Sequence, residues 1–256
     1  MKGIISLILI LAIGILFSCS KDQLVGEPKN SPDGKGGSTA RMVIKGDYLY
    51  AVDNSSIKVV DVSTPSNPVY VRTIDIGFGI ETIYPFKDFL FIGSNEGMYV
   101  YGLSDPSNPN QLSEFAHVTS CDPVIANDTF AFVTLRNNGV CNQFEDIKEI
   151  DIIDIKDIYN PKIEIVYQTK SYPFGLDMKD TLLFVCHGEN GLTIYDMNRM
   201  LNHQNNAELS TLVGLNAYDA VVYEDRLFII GESGFYQYDY SDIHDLKLIS
   251  SILKTN

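Results

Sequence analysis

Basic residues are scarce in this 256-residue chain. Lys and Arg number 19 against 33 Asp and Glu, a formal net charge of −14. A protein that grips a phosphate backbone needs a basic footprint, so nucleic-acid binding is excluded. Charged residues make up only 20%, while Tyr and Phe number 15 and 13, which excludes a disordered chain. Long hydrophobic runs are missing apart from one, the uncharged stretch 3–17, and that falls short of the ~20 residues of a membrane span. Enzyme signatures are also missing: there is no GxSxG, HExxH, P-loop or GxGxxG. The four cysteines include no CxxC pair, and no HxxH occurs. No catalytic residue, metal site or cofactor is therefore expected. No helical period of 3.6 is sustained beyond residue 40.

What is present begins with an address. Lys2 is followed by the apolar run and then by small residues, the pattern of a secretory signal peptide. A single transmembrane anchor is the alternative. The run ends Leu16-Phe17-Ser18-Cys19, which resembles a bacterial lipobox, with Phe17 where a small or branched residue is usual. The resemblance implies a signal peptide over 1–18 and a lipidated Cys19, bearing palmitate among its acyl chains. Each buried CH₂ contributes ~0.8 kcal/mol, so several chains hold firmly. Ser20, in place of an aspartate, points to the outer membrane. Lys21 and Asp22 resemble the export signal of surface lipoproteins, which implies an outward-facing protein. Residues 19–40 are rich in Gly, Ser, Lys, Asp and Pro and read as a flexible tether.

The remainder, 41–256, repeats itself. An aromatic ends one strand-like column at Tyr50, Phe91, Phe132, Phe184 and Phe228. A second column ends at Asp61, Gly102, Asp154, Asp196 and Asp239. The two are 11 residues apart in copies one, two and five, 12 apart in copy four and 22 apart in copy three. Successive aromatics in the first three copies recur every 41 residues. One insertion in copy three accounts for most of the deviation. Each copy holds four strand-like pieces rich in Val, Ile, Tyr and Phe, separated by turn residues. Four strands per ~40 residues is the signature of a β-propeller. The expected fold is all-β, with five four-stranded blades at about 41–76, 77–117, 118–170, 171–215 and 216–256. Six or seven blades with irregular members is the alternative. Such a chain would close by face packing between blades five and one.

The stretch 48–68, YLYAVDNSSIKVVDVSTPSNP, resembles the LVIVD repeat of bacterial surface propellers. Residues 89–109 repeat it, and copy three keeps Ile152-Ile153-Asp154-Ile155 with Asn160-Pro161. Copies four and five lack the Asn-Pro turn. The resemblance implies a propeller lipoprotein and carries no biochemical activity with it.

In a propeller, the loops between second and third strands share one face with the segments entering each blade. The strand-end aspartates Asp61, Asp154, Asp196 and Asp239 fall on the opposite face and read as turn formers. The insertion of copy three, with Arg136, Asn137 and Asn138, lies on the binding face. Cys141 in that loop and Cys121 at the start of the same blade are expected to form a disulfide in an oxidising compartment. Cys186 is expected to be a buried small hydrophobe. Glu81, Asp122, Tyr172, His187, Asn190 and Asp219 complete the candidate ligand-binding face. Glu81, Asp122 and Asp219 begin first strands and are expected to point toward the axis. There they could act as a carboxylate pair on a glycosidic bond. The reading of the whole is a lipid-anchored, monomeric, non-enzymatic module for a surface protein or a glycan. The alternatives are a carbohydrate-active propeller and an accessory subunit of an outer-membrane complex.

Overall fold

The computed structural model describes residues 36–116, 123–137 and 146–255, all within the unit Pro32–Asn256. Cys19, Cys121, Asp122, Asn138 and Cys141 lie outside the described residues, and with them the lipid attachment and the disulfide.

Twenty strands form five antiparallel sheets of four, each in sequence order. The fold is the five-bladed propeller that the repeat predicts. Blade one comprises β1 (Met42–Lys45), β2 (Tyr48–Val52), β3 (Ser56–Asp61) and β4 (Val69–Asp75). Blade two comprises β5 (Ile80–Phe86), β6 (Phe89–Ser94), β7 (Gly97–Gly102) and β8 (Asn110–Ala116). Blade three comprises β9 (Val124–Ala126), β10 (Phe130–Asn137), β11 (Ile147–Asp154) and β12 (Lys162–Gln168). Blade four comprises β13 (Leu176–Lys179), β14 (Leu182–Cys186), β15 (Leu192–Asp196) and β16 (Glu208–Leu212). Blade five comprises β17 (Ala217–Tyr223), β18 (Arg226–Gly231), β19 (Gly234–Asp239) and β20 (Lys247–Leu253).

The repeat is reproduced down to its irregularities. In every blade the pairing of third and fourth strands slips by one residue at the same place, after Val59, Val100, Ile152, Ile194 and Gln237. The hairpin joining first and second strands places a residue at φ near +50° in four blades: Gly46, Lys87, Asp180 and Glu224. A two-residue hairpin demands such a left-handed backbone, so three non-glycine residues carry that strain. Aspartates fix the turns after the third strands. Asp61, Asp105, Asp154 and Asp239 accept, respectively, from the backbone N–H of Ser63, Ser107, Lys156 and Ser241, each two residues on. Asp196 departs from this pattern. It caps a one-turn helix α1 (Met197–Leu201) by accepting from Arg199 N at 3.1 Å, and Met197 and Met200 pack into the core. The sequence shows no helical period there because five residues are too few to express one.

The second strands of blades two, three and four are apolar on both faces because each of these blades is covered by two neighbours. Four clusters fill the four successive interfaces, with Phe91, Phe132 and Phe184 fully buried among them. Each such ring contributes roughly 1.5–3 kcal/mol by leaving water. Among the described residues no fifth cluster joins blade five to blade one. Instead, the segment 36–41 that leads into β1 ties the ring at its axis. Ala40 O accepts from Ile83 N of blade two at 2.9 Å. Ser38 Oγ accepts from Leu176 N of blade four at 2.7 Å and donates to Asp219 Oδ1 of blade five at 3.1 Å.

Candidate functional site

Of the axial carboxylates expected at the blade entrances, Asp122 lies outside the described residues, and Glu81 and Asp219 take different places. Asp219 is nearly buried and committed to the chain itself. Its Oδ2 accepts from Thr39 Oγ1 at 2.6 Å and Thr39 N at 3.3 Å, and its Oδ1 from Ser38 Oγ and from Ala220 N at 3.0 Å. Burial raises its pKa, and these donors pull it back. Its carboxylate is hemmed in by two glycines. A Cβ on Gly37 or on Gly175 would stand 2.1 Å from one of its oxygens. Glu81 is half-buried and does not share the place of Asp219 in the repeat. The β5–β6 ladder skips Glu81 between Ile80 and Thr82, and the β17–β18 ladder skips Tyr218 between Ala217 and Asp219. Glu81 therefore matches Tyr218, and Asp219 matches Thr82. The two bulges fall at matching places, so Glu81 and Asp219 stand one position apart in the repeat.

Three of the remaining candidates gather around the entry to blade four. Arg136 lies with its guanidinium 4.5 Å from the centre of the Phe174 ring, and Asn137 ends β10 in a buried position. Tyr172 donates from its hydroxyl to Asp146 Oδ1 at 2.7 Å, and Lys148 Nζ stands 4.6 Å from the ring centre. These contacts hold the Asp146 carboxyl below its ordinary range. Phe174 also meets Tyr218 at 6.0 Å, so an aromatic and cationic border surrounds this entrance.

Beside it, at the edge of blade four, a polar cleft of about 260 Å³ collects His187 and Asn190 with Lys170, Ser171, Thr193, Tyr195, Glu208 and Thr211. That is just under the ~300–1,000 Å³ of drug-sized sites, so it suits one small polar unit. His187 forms part of its lining and is almost wholly buried. Its Nδ1 lies 3.2 Å from Ser171 O and 3.3 Å from Tyr172 O. Carbonyls only accept, so Nδ1 carries the proton, and Nε2 accepts from the Tyr195 hydroxyl at 3.1 Å. Burial lowers the His187 pKa and raises that of Tyr195, so both are neutral at pH 7. Thr193 and Thr211 lie opposite each other in the β15–β16 ladder, with their hydroxyls 3.3 Å apart. Lys170 and Glu208 form an ion pair. The Asn190 carboxamide makes no hydrogen bond among the described residues.

Chemically, the cleft offers hydroxyl groups, an amide and a charge pair around an uncharged imidazole. Its one carboxylate is paired with a lysine, so it lacks the two carboxylates that glycoside hydrolysis uses. Its hydroxyl, amide and ionic groups can hydrogen-bond a polyol. Lys170, Thr193, Tyr195, Glu208 and Thr211 bear no mark in the sequence. The one available signal is that two threonines fall at facing positions of adjacent strands.

A second cleft of about 320 Å³ lies on the opposite face, bordered by α1, Asn127, Asp128 and Phe130. Two of its polar side chains are engaged: Asn127 Oδ1 accepts from Thr129 N and Phe130 N, and Asp128 pairs with Lys87. Cys186 is buried and free, and burial raises its thiol pKa.

Comparison with known proteins bears on the fold. The family model of the LVIVD repeat matches residues 36–75, which is blade one with the segment that precedes it. None of the curated proteins compared with the chain matches it. Among solved structures, the computationally designed Ika8 protein is 11% identical over 82% of this chain and 60% of its own, with a TM-score of 0.59. A chain of the Mitotic Checkpoint Complex is 12% identical over 82% of this chain and 64% of its own, at the same TM-score. A protein from Lactobacillus plantarum is 12% identical over 81% and 68%, again at 0.59. This chain thus spans less than two thirds of the first two. At such identities the likeness is one of fold alone.

Proposed function

We propose that the protein is a lipid-anchored, non-enzymatic binding module of the outer membrane, exposed at the cell surface, whose cleft in blade four takes one polar unit of a glycan. The observation that carries the reading is the cleft itself: paired threonine hydroxyls, a free carboxamide and an ion pair around a buried His187–Tyr195 hydrogen bond. Alternating donors and acceptors of this kind complement the hydroxyls of a sugar ring. The aromatic border formed by Tyr172 and Phe174 offers a stacking surface for a neighbouring unit. The rigid blades keep these groups in place without ligand, which favours binding by lowering the ordering cost. The lipobox at Cys19 supports the anchor, and Ser20 supports the outer membrane.

A glycan array probed with the full chain tests the reading. Binding to at least one glycan is expected, and Thr193→Val together with Asn190→Ala should weaken it tenfold or more. An array with no bound glycan, or binding indifferent to both substitutions, defeats it. The anchor is tested separately by Cys19→Ala, which should abolish incorporation of labelled palmitate and release the protein from membranes.

A further inference from the structure

Within this propeller every interior interface joins the same two faces. Between blades four and five, Phe184, Cys186 and Leu192 of blade four are buried against Ala220, Val222 and Leu227 of blade five. Strand register identifies the corresponding residues at the two ends of the array. Phe228, Ile230 and Phe235 of blade five hold the places of Phe184, Cys186 and Leu192, since Ile230 pairs with Phe235 as Cys186 pairs with Leu192. Met42, Ile44 and Leu49 of blade one hold the places of Ala220, Val222 and Leu227, since Ile44 pairs with Leu49 as Val222 pairs with Leu227.

These terminal faces are apolar and partly exposed. Ile230 is 57% exposed, and Ile252, paired with Phe235, is 71% exposed. Phe228 and Phe235, both partly exposed, stack on each other at 5.8 Å. Met42 is 62% exposed. Among the described residues no core cluster joins the two faces. On blade five, the inner end of its face is already taken by segment 36–41: Asp219 pairs with Ile230 across the β17–β18 ladder, and Ser38 and Thr39 are hydrogen-bonded to Asp219. Exposed apolar faces of this kind mark association sites.

We propose that copies of this chain associate head to tail, blade five of one on blade one of the next, by the same face pairing that builds the four interior interfaces. The occupant follows from that continuity. The surface complementary to blade five is a leading blade face, and the uncovered leading face is that of blade one. The contact is heterologous, so it extends to further copies or closes into a ring. This departs from the monomer expected from the sequence, where neither face is visible. It does not depend on what the cleft binds.

The experiment uses the full chain in detergent with micelles in excess. One preparation carries Met42→Cys and a second carries Ile230→Cys. A short bismaleimide applied to the mixture should give a covalent dimer, at least tenfold more than either preparation alone or the unsubstituted chain. Sedimentation should show a mass that rises with concentration, and Ile230→Asp should lower self-association tenfold or more. Its thermal unfolding at high dilution should be unchanged, because Ile230 faces water in the single copy. A monomer at all concentrations overturns the proposal. So does a chain carrying both cysteines that links only within itself, which would mean that the ring closes on its own end.

Discussion

Ser38 donates to Asp219, 181 positions away in the sequence, while the same hydroxyl accepts from Leu176 N. One side chain of the segment before the first blade thus satisfies a nearly buried carboxylate of the last blade and a backbone N–H of the fourth. Ser38→Ala strands the Leu176 N–H and removes one of the four donors to the Asp219 carboxylate. A buried group left without its partner costs about 1–3 kcal/mol, so urea unfolding should move to lower denaturant by an amount in that range. An unchanged midpoint would mean that the segment is not a tie.

Gly37 is fixed by the same carboxylate. A methyl group there would stand 2.1 Å from Asp219 Oδ2, and its three nearest neighbours would all be atoms of that side chain. Gly37→Ala should therefore destabilise the chain, and much of the loss should vanish when Asp219 is also changed to alanine. A double-mutant cycle on unfolding free energies should return a coupling of roughly 0.5–3 kcal/mol, as for residues in contact. Simple additivity would place the two residues apart.

His187 gives the stability a pH dependence of definite sign. Burial pulls its pKa below the ordinary 6.5, so the folded chain favours the neutral ring. The stability this contributes is present above pH 6.5 and is lost as pH falls through the lowered folded value. Unfolding midpoints measured at about pH 7.5 and about pH 5 should show that loss in the unaltered chain. His187→Gln, which cannot take up the proton, should show a smaller difference between the two conditions whatever its absolute stability. Equal slopes for the two proteins would contradict the buried, proton-donating Nδ1.

Phe184 and Phe228 occupy one position in two copies of the repeat, yet only the first is buried by a following blade. Phe184→Ala should cost about 3–5 kcal/mol and Phe228→Ala about 1 kcal/mol when both are measured at high dilution. Equal costs would indicate that the last blade is covered after all.

How much of this could be read from the residues divides by the range of the contacts. Each blade is built from neighbouring hairpins, so the recurrence of Tyr50, Phe91, Phe132, Phe184 and Phe228 carries the sheets, their order and their number. The turn aspartates were legible for the same reason, because Asp61 and Asp239 bond two residues ahead. The axis was not legible. Asp219 read as a ligand-facing carboxylate because Ser38 and Thr39, remote in sequence, give no sign of where they fold. Glu81 stands one position away from the place of Asp219 in the repeat, and a shift of one residue changes the face a side chain takes. In the cleft, His187 and Asn190 stood out as loop polar groups, whereas Thr193 and Tyr195 sit in a strand whose composition suits packing equally well.

The slip after Val59, Val100, Ile152, Ile194 and Gln237 reaches beyond the ladders in which it occurs. Each slip bends the outermost strand of its blade and breaks the even row of amides and carbonyls along the perimeter. A perimeter without a straight edge cannot zip sideways onto another sheet. Crowded molecules are therefore kept from fusing rim to rim.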